Sequence, residues 1–280
     1  MKPIDVRHLG REHVICCWQV GDVLVDPGPE SSMKTLLQAL DGERPRALLL
    51  THIHFDHAGA AGALVRKWPD LEVWVHERGA RHLADPARLV SSAKRLYGDD
   101  FDRLWGEVVP IPERSLRVLR GGESQEEWDV AYTPGHASHH VSYLHRESGW
   151  AFPGDTCGVR LPSGDLILPP TPPPDIDLDA WSASIEQIEE WGPERIAITH
   201  FGAYGDVAEH LDRLREALRH WGELARRTDR ETYAEELRAA FDDALGEEDA
   251  RAFAQAMPPE DQWLGLDRYF QRIGEAGATG

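Results

Sequence analysis

The chain is poor in sulfur, with three cysteines and three methionines among 280 residues. Cys16 and Cys17 are adjacent and Cys157 stands alone, so no disulfide framework is implied. That usage fits a reducing compartment, and the cytoplasm is the expectation. Long apolar runs are missing as well, since none approaches the ~20 residues of a membrane span. The start, Met1-Lys2-Pro3-Ile4-Asp5-Val6, has no apolar segment and no small-residue cleavage site, so no secretory signal is expected. Positive charge is short: 30 Lys and Arg against 49 Asp and Glu leave −19. A field of that sign repels phosphate backbones and anionic membranes, so neither a nucleic acid nor a membrane is expected as partner. A small anionic substrate stays open, because bound metal ions can make a local site positive.

What is present is enough for a packed core. Hydrophobic residues make up 41% of the chain, low-complexity tracts and internal repeats are absent, and the length suits about two domains or one large α/β domain. Residues 13–20 form a largely apolar run, the Gly21-Asp22 turn follows, and Val23-Leu24-Val25 completes an expected hairpin. Ser31 or Ser32 is placed to cap a helix carrying Leu36, Leu37 and Leu40, which Asp41-Gly42 stops. A short buried strand at 47–50 runs into a histidine-rich stretch, after which 58–65 read as a helix of small residues packed close to a neighbour. A strand is expected at 71–75 and a helix over 86–105, with Leu89, Ala93, Leu96 and Leu104 as core contacts. Strands return between 115 and 153, and 161–174, with six prolines, is a loop. Trp181, Ile185, Ile188 and Trp191 mark an amphipathic helix, and 195–199 a last strand. Beyond Gly205 the pattern is helical. Val207, Leu211, Leu214, Leu218 and Trp221 form one stripe, Thr228-Asp229-Arg230-Glu231 reads as a capping box, and Trp263, Leu266, Tyr269, Phe270 and Ile273 are candidates to dock on the core.

Seven residues carry the chemistry: His52, His54, Asp56, His57, His136, Asp155 and His200. They fall just after expected strands. A lone histidine is most often a surface or satisfied core group, but His-x-His-x-Asp-His packs three imidazoles and a carboxylate into six residues. Imidazole and carboxylate are the nitrogen and oxygen ligands of zinc and iron.

With Asp26 after its strand, the 52–57 cluster, His136, Asp155 and His200 in this order, the sequence resembles the metallo-β-lactamase superfamily of hydrolases, in its glyoxalase II- and lactonase-like branch, over roughly residues 4–205. The resemblance implies an α/β fold, a four-layer αββα sandwich with the metals at one edge, followed by a C-terminal helical extension. The expected division is a catalytic domain at 1–205 and the extension at 206–280, packed on it or capping it. Position by position, His52, His54 and His136 would hold one metal, Asp56, His57 and His200 a second, and Asp155 would bridge them. Asp26 is either an outer support of the site or a plain turn residue.

The implied cofactors are two divalent metal ions, zinc first, with iron or manganese as alternatives. Ions roughly 3.5–4 Å apart lower the pKa of a bridging water, polarise a carbonyl or phosphoryl oxygen and stabilise the leaving group. The resulting hydroxide would attack the substrate. Asp56 and Asp155 are the candidate catalytic carboxylates, Asp56 orienting the attacking water or moving its proton.

Within that superfamily several specialisations fit poorly. Most β-lactamases of this fold lack the bridging aspartate. The glutathione-binding basic signature of glyoxalase II does not match Thr156-Cys157-Gly158-Val159-Arg160, where Arg160 reads as a solvated loop residue or as an anion contact. Lactonases carry a tyrosine near the bridging residue, for which only Tyr143 and Tyr204 are substitutes. Residues 206–280 carry 10 basic and 18 acidic side chains, which disfavours RNA or DNA. The expected reaction is hydrolysis of an ester, thioester or lactone of a small acyl substrate. The alternatives are a small phosphodiester hydrolase and a mononuclear-iron persulfide dioxygenase-like oxidoreductase. A homodimer is an option the sequence leaves open. The loop at 161–174 is either an apolar wall of the pocket, through Leu161, Ile167, Leu168 and Pro169, or a surface crossover. His139 and His140 are candidates for outer support of the metal ligands.

Overall fold

A computed structural model describes residues 1–278. Twelve strands form two six-stranded sheets among the described residues. The first sheet, in spatial order, is β1 (Lys2–Asp5), β2 (Cys16–Val20), β3 (Val23–Val25), β4 (Ala47–Leu49), β5 (Glu72–His76) and β6 (Leu116–Leu119). The second runs from β7 (Ser124–Gln125) through β8 (Trp128–Tyr132), β9 (Val141–His145), β10 (Trp150–Phe152) and β11 (Arg195–Ile198) to β12 (Gly202–Tyr204). Both are mixed. β3 to β6 are mutually parallel, and β10 pairs parallel with β11 in an otherwise antiparallel sheet. The 3-residue strands β3 and β4 are buried throughout, as strands covered on both faces must be.

Helices of the first half are α1 (Met33–Leu40), α2 (Phe55–Ala58), α3 (Ala61–Lys67), α4 (Glu77–Ala84), α5 (Ala87–Tyr97) and α6 (Phe101–Trp105). α7 (Leu178–Trp191) follows the proline-rich loop, and α8 (Val207–Ala225), α9 (Arg230–Ala244), α10 (Glu247–Ala256) and α11 (Pro259–Ala278) close the chain. With helices beside the two sheets this is the α/β sandwich that the resemblance implies, followed by C-terminal helices. The sheets are stapled by buried polar bonds. The Trp18 indole N–H donates to the Ile198 carbonyl at 3.0 Å, and the Tyr143 hydroxyl to the Leu50 carbonyl at 2.9 Å.

Most expected elements are there, and the departures have local causes. The strand expected from residue 13 begins at Cys16, because His13 is left-handed at φ 62° and cannot sit in a ladder. The helix expected over 86–105 breaks after Tyr97 at Gly98 (φ 55°); no residue of α5 is fully buried, Leu89 packs half-buried against the core, and Leu96 is exposed. Neither Ser31 nor Ser32 caps α1; the Ser31 hydroxyl donates instead to the Leu104 carbonyl at 2.6 Å. The capping box shifts by one residue, since Asp229, not Thr228, accepts the Thr232 N–H at 2.9 Å. The small residues of α3 do meet a close neighbour: a Cβ on Gly62 would run into the Val109 carbonyl. Trp221, Leu266 and Tyr269 are buried in the C-terminal layer, while Ile273 stays exposed.

Candidate metal centre

Strand direction brings the site together. Asp26 follows β3 and the 51–57 stretch follows β4, two parallel neighbours. β8 and β10 are each antiparallel to β9, and β11 is parallel to β10, so all three run one way and deliver His136, Asp155 and His200 to one edge. The Cys16 N–H to Thr199 carbonyl bond and the Val141 N–H to Thr51 carbonyl bond, both 2.8 Å, join the two sheets at that edge.

All seven expected residues converge there. His52 Nε2 and His136 Nε2 each lie 2.9 Å from His54 Nδ1, so three ring nitrogens aim at one point. On the other side His200 Nε2 lies 3.3 Å from Asp56 Oδ2, and His57 Nε2 lies 3.8 Å from the same oxygen. Asp155 stands between the groups: its Oδ2 is 3.3 Å from His136 Nε2, its Oδ1 3.2 Å from His57 Nε2 and 3.7 Å from His200 Nε2. His52, His57, His136, His200 and Asp155 are buried, whereas the Asp56 side chain keeps 22% exposure and His54 is half-buried. The opening is therefore on the His54 and Asp56 side.

The outward nitrogens are held by acceptors, which fixes the tautomers. His136 Nδ1 donates to the Pro170 carbonyl at 2.8 Å and His200 Nδ1 to the Val14 carbonyl at 2.6 Å. His57 Nδ1 meets Asp26 Oδ2 at 2.8 Å, and His52 Nδ1 lies 3.1 Å from the Thr51 hydroxyl. Each Nε2 is thereby left with its lone pair inward, the arrangement typical of imidazoles that bind metals.

The charges are unbalanced in a way a cation corrects. Burial, with neighbouring imidazoles, holds His52 well below its ordinary value, and burial followed by His136 pushes His54 down to about 4. His57 and His200 are moved upward: burial opposes it, but Asp155 with Asp26 and Asp56 around them outweighs burial. Asp155 is held well below the carboxylate range, burial opposing, with His57 and His136 the attracting groups. His57 Nε2 and Asp155 Oδ1 are nonetheless buried without a hydrogen-bond partner among the described residues. Such unpaired atoms are costly in an interior, and nitrogen and carboxylate donors pointed at common centres suit divalent ions. The donor set fits the implied metals.

Other candidates fall elsewhere. Arg160 is neither solvated nor available to an anion, because its buried guanidinium grips Asp206 at 2.8 and 3.0 Å and lies over the Tyr204 ring. Tyr143 is a core residue, and the Tyr204 hydroxyl donates to the Arg160 carbonyl at 2.6 Å, so neither serves as a tyrosine beside the bridging residue. The loop at 161–174 is buried at Leu161, Ile167, Leu168 and Thr171 and exposed at Pro162, Ser163, Asp165 and Pro174. His140 is buried against Thr133 and Thr156, and its ring stacks on His52 with centroids 4.9 Å apart. Asp26 is no plain turn residue, since its carboxylate meets His57 and accepts the hydroxyls of Thr51 and Thr199, each at 2.8 Å, and neither threonine was singled out in the sequence. The signal for Thr51 was its place between the strand and the first histidine.

The fold, with imidazoles and carboxylates gathered at the strand ends, points to a class of proteins with a metal site at that edge. The chain belongs to the metallo-beta-lactamase superfamily, whose family model matches residues 21–200. It is 27% identical over 226 residues to the metallo-beta-lactamase fold-containing protein ST1585 of Sulfurisphaera tokodaii, covering 76% of this chain and 81% of that one. The crystal structure of ST1585 superposes with a TM-score of 0.70 at 20% identity, covering 95% of this chain and 97% of that one. A hydroxyacylglutathione hydrolase of Legionella pneumophila is 29% identical over 133 residues, which span 47% of this chain and only 41% of that enzyme. The crystal structure of TTHA1623 in a di-iron-bound form matches at 29% identity and TM-score 0.52, covering 71% of this chain and 91% of that one.

Proposed function

We propose that this protein is a dinuclear metal-dependent hydrolase acting on an ester, thioester or lactone of a small acyl substrate. The observation that carries the reading is Asp155, whose two oxygens face two separate ligand groups. His52, His54 and His136 would hold one ion and Asp56, His57 and His200 the other. When bound, the ion pair supplies a nucleophilic water at neutral pH and polarises the acyl oxygen. Asp56 lies with His54 on the open side of the set, so its carboxylate is placed to orient the attacking water and pass its proton outward. The buried imidazoles, pinned from behind, keep their inward nitrogens in register without reorganisation.

The superfamily consists largely of metal-dependent hydrolases, and a relative named hydroxyacylglutathione hydrolase supports acyl hydrolysis. Arg160, the one cation in the stretch 156–160, is committed to Asp206, so recognition of an anionic leaving group would need other residues. Zinc is the first expectation, and the di-iron form of TTHA1623 supports iron as the second.

The test is metal content per chain in protein purified without added metal, followed by a thioester and lactone panel beside a phosphodiester panel. About two ions per chain and turnover of the acyl panel are expected, with both lost in Asp155→Ala. An Asp155→Ala protein that kept both ions and full activity would refute the proposal. So would a single iron with oxygen consumption on a persulfide.

A further inference from the structure

The His136 imidazole is held from behind by a backbone carbonyl, that of Pro170. What holds Pro170 is a question of chain stiffness. Residues 169–174 read Pro-Pro-Thr-Pro-Pro-Pro, so five of the six have φ fixed near −65° and no N–H to offer. Thr171 has the single backbone N–H in this run. It donates that N–H to Gln262 Oε1 of α11, and its hydroxyl donates to the Gln262 carbonyl at 3.0 Å. The Gln262 side chain is buried, and its Nε2 donates to the Pro258 carbonyl at 3.0 Å, which fixes Oε1 toward Thr171. Three residues along α11, a Cβ on Gly265 would run into the Thr171 carbonyl, so helix and loop are in direct contact.

We propose that Gln262 is a positioning residue for the metal ligand His136, acting through Thr171 and the Pro170 carbonyl. The C-terminal helical layer then has a second task besides packing, because a residue outside the 21–200 region that matches the superfamily sets the direction of a ligand inside it. The inference rests on the metal-site reading above. It concerns one ion and not the other: His57 and His200 are held by Asp26 and by the Val14 carbonyl, which do not involve this loop.

Stepwise zinc binding, read by competition with a chromophoric chelator on the full chain, tests it. His136→Ala identifies which of the two steps belongs to the first group. Gln262→Leu, which leaves the Thr171 N–H without an acceptor, is expected to weaken that same step about tenfold and the other less than about twofold. Gly265→Ala, which displaces the loop by a different route, should give the same selective loss and serves if Gln262→Leu does not fold. Trp263→Phe removes the indole N–H that reaches the Ala225 and Thr228 carbonyls, also from α11. It is expected to lower the melting temperature and leave both zinc steps unchanged. Equal weakening of both steps, or of neither, in the folded Gln262 and Gly265 variants would overturn the proposal. If His136→Ala itself left both steps unchanged, the metal-site reading would fail instead.

Discussion

Asp26 Oδ2 lies 2.8 Å from His57 Nδ1, and neither side chain has any exposure to solvent. The same oxygen accepts the hydroxyls of Thr51 and Thr199, and Oδ1 accepts the Thr51 N–H, each at 2.8 Å. Because the Thr51 hydroxyl gives its proton to Asp26, its oxygen is free to accept from His52 Nδ1, 3.1 Å away. One carboxylate thus steers a candidate ligand in each group, His57 directly and His52 through a threonine. Its left-handed backbone, φ 49°, is an unusual conformation for a residue other than glycine, and the four bonds explain why it persists.

Asp26→Asn is therefore expected to reduce metal affinity ~10–100-fold, since an amide cannot accept from all of these donors. Asp26→Ala strands four buried donors and should also lower the unfolding free energy of the metal-free protein by about 3 kcal/mol or more. Elemental analysis with chelator competition checks the first, and urea unfolding in EDTA the second. Unchanged affinity in a folded Asp26→Asn protein would remove Asp26 from the site.

Gly135 precedes His136 at φ 140°, and a Cβ there would run into the backbone and Cβ of Trp181 on α7. The close approach lets α7 press on the ligand loop, with the Trp181 indole N–H bound to the Thr156 carbonyl at 2.9 Å. Gly135→Ala should cost about 3 kcal/mol, from strain at positive φ plus overpacking. A thermal melt that moved by less than a degree or two would contradict this.

The Arg160–Asp206 pair ties the strand-to-loop passage after Asp155 to the start of α8. Asp206 is held below the carboxylate range, burial opposing and the Arg160 hydrogen bond prevailing. Its side chain is 39% exposed, so solvent screens the pair, and Asp206→Ala is expected to cost only about 1–2 kcal/mol. Because Arg160 is structural, the same change should leave KM for acyl substrates within about twofold of the parent protein, at ~0.4 kcal/mol of binding. A large rise in KM for anionic substrates alone would restore Arg160 as a substrate contact.

The centre was legible because its chemistry is local. His52 to His57 sit in one short stretch, and His136, Asp155 and His200 each follow a strand that the apolar pattern marks. Its supports were not legible for a matching reason. The groups behind His136 and His200 are backbone carbonyls of Pro170 and Val14, which leave no mark on residue type. Arg160 was misjudged because its partner, Asp206, lies 46 positions away, where the two elements meet only in three dimensions. The broken helix at 86–105 had a cue in Tyr97-Gly98-Asp99-Asp100, where glycine before two acids suits a turn better than a helix interior.

His210, away from the metal centre, makes acid stability measurable. It is fully buried on α8, and its Nε2 donates to the Cys157 carbonyl at 2.8 Å while Arg160 faces Nδ1 at 3.4 Å. Burial, with Arg160 adding to it, pushes its pKa down to about 4 from 6.5. The native state therefore keeps this imidazole neutral while the unfolded chain protonates it. Stability from this group is fully present above pH 6.5, falls as the pH drops from 6.5 toward 4, and falls no further below that. The slope approaches ~1.4 kcal/mol per pH unit for one proton, and the total is about 3 kcal/mol. Other buried histidines titrate in the same direction, so the comparison is with His210→Gln, whose amide N–H can still reach the Cys157 carbonyl. Urea unfolding between pH 4 and 7 should show the variant losing less stability on acidification, by about one proton's worth. Parallel curves for the two proteins would mean that His210 is protonated in the native state as readily as in the unfolded one.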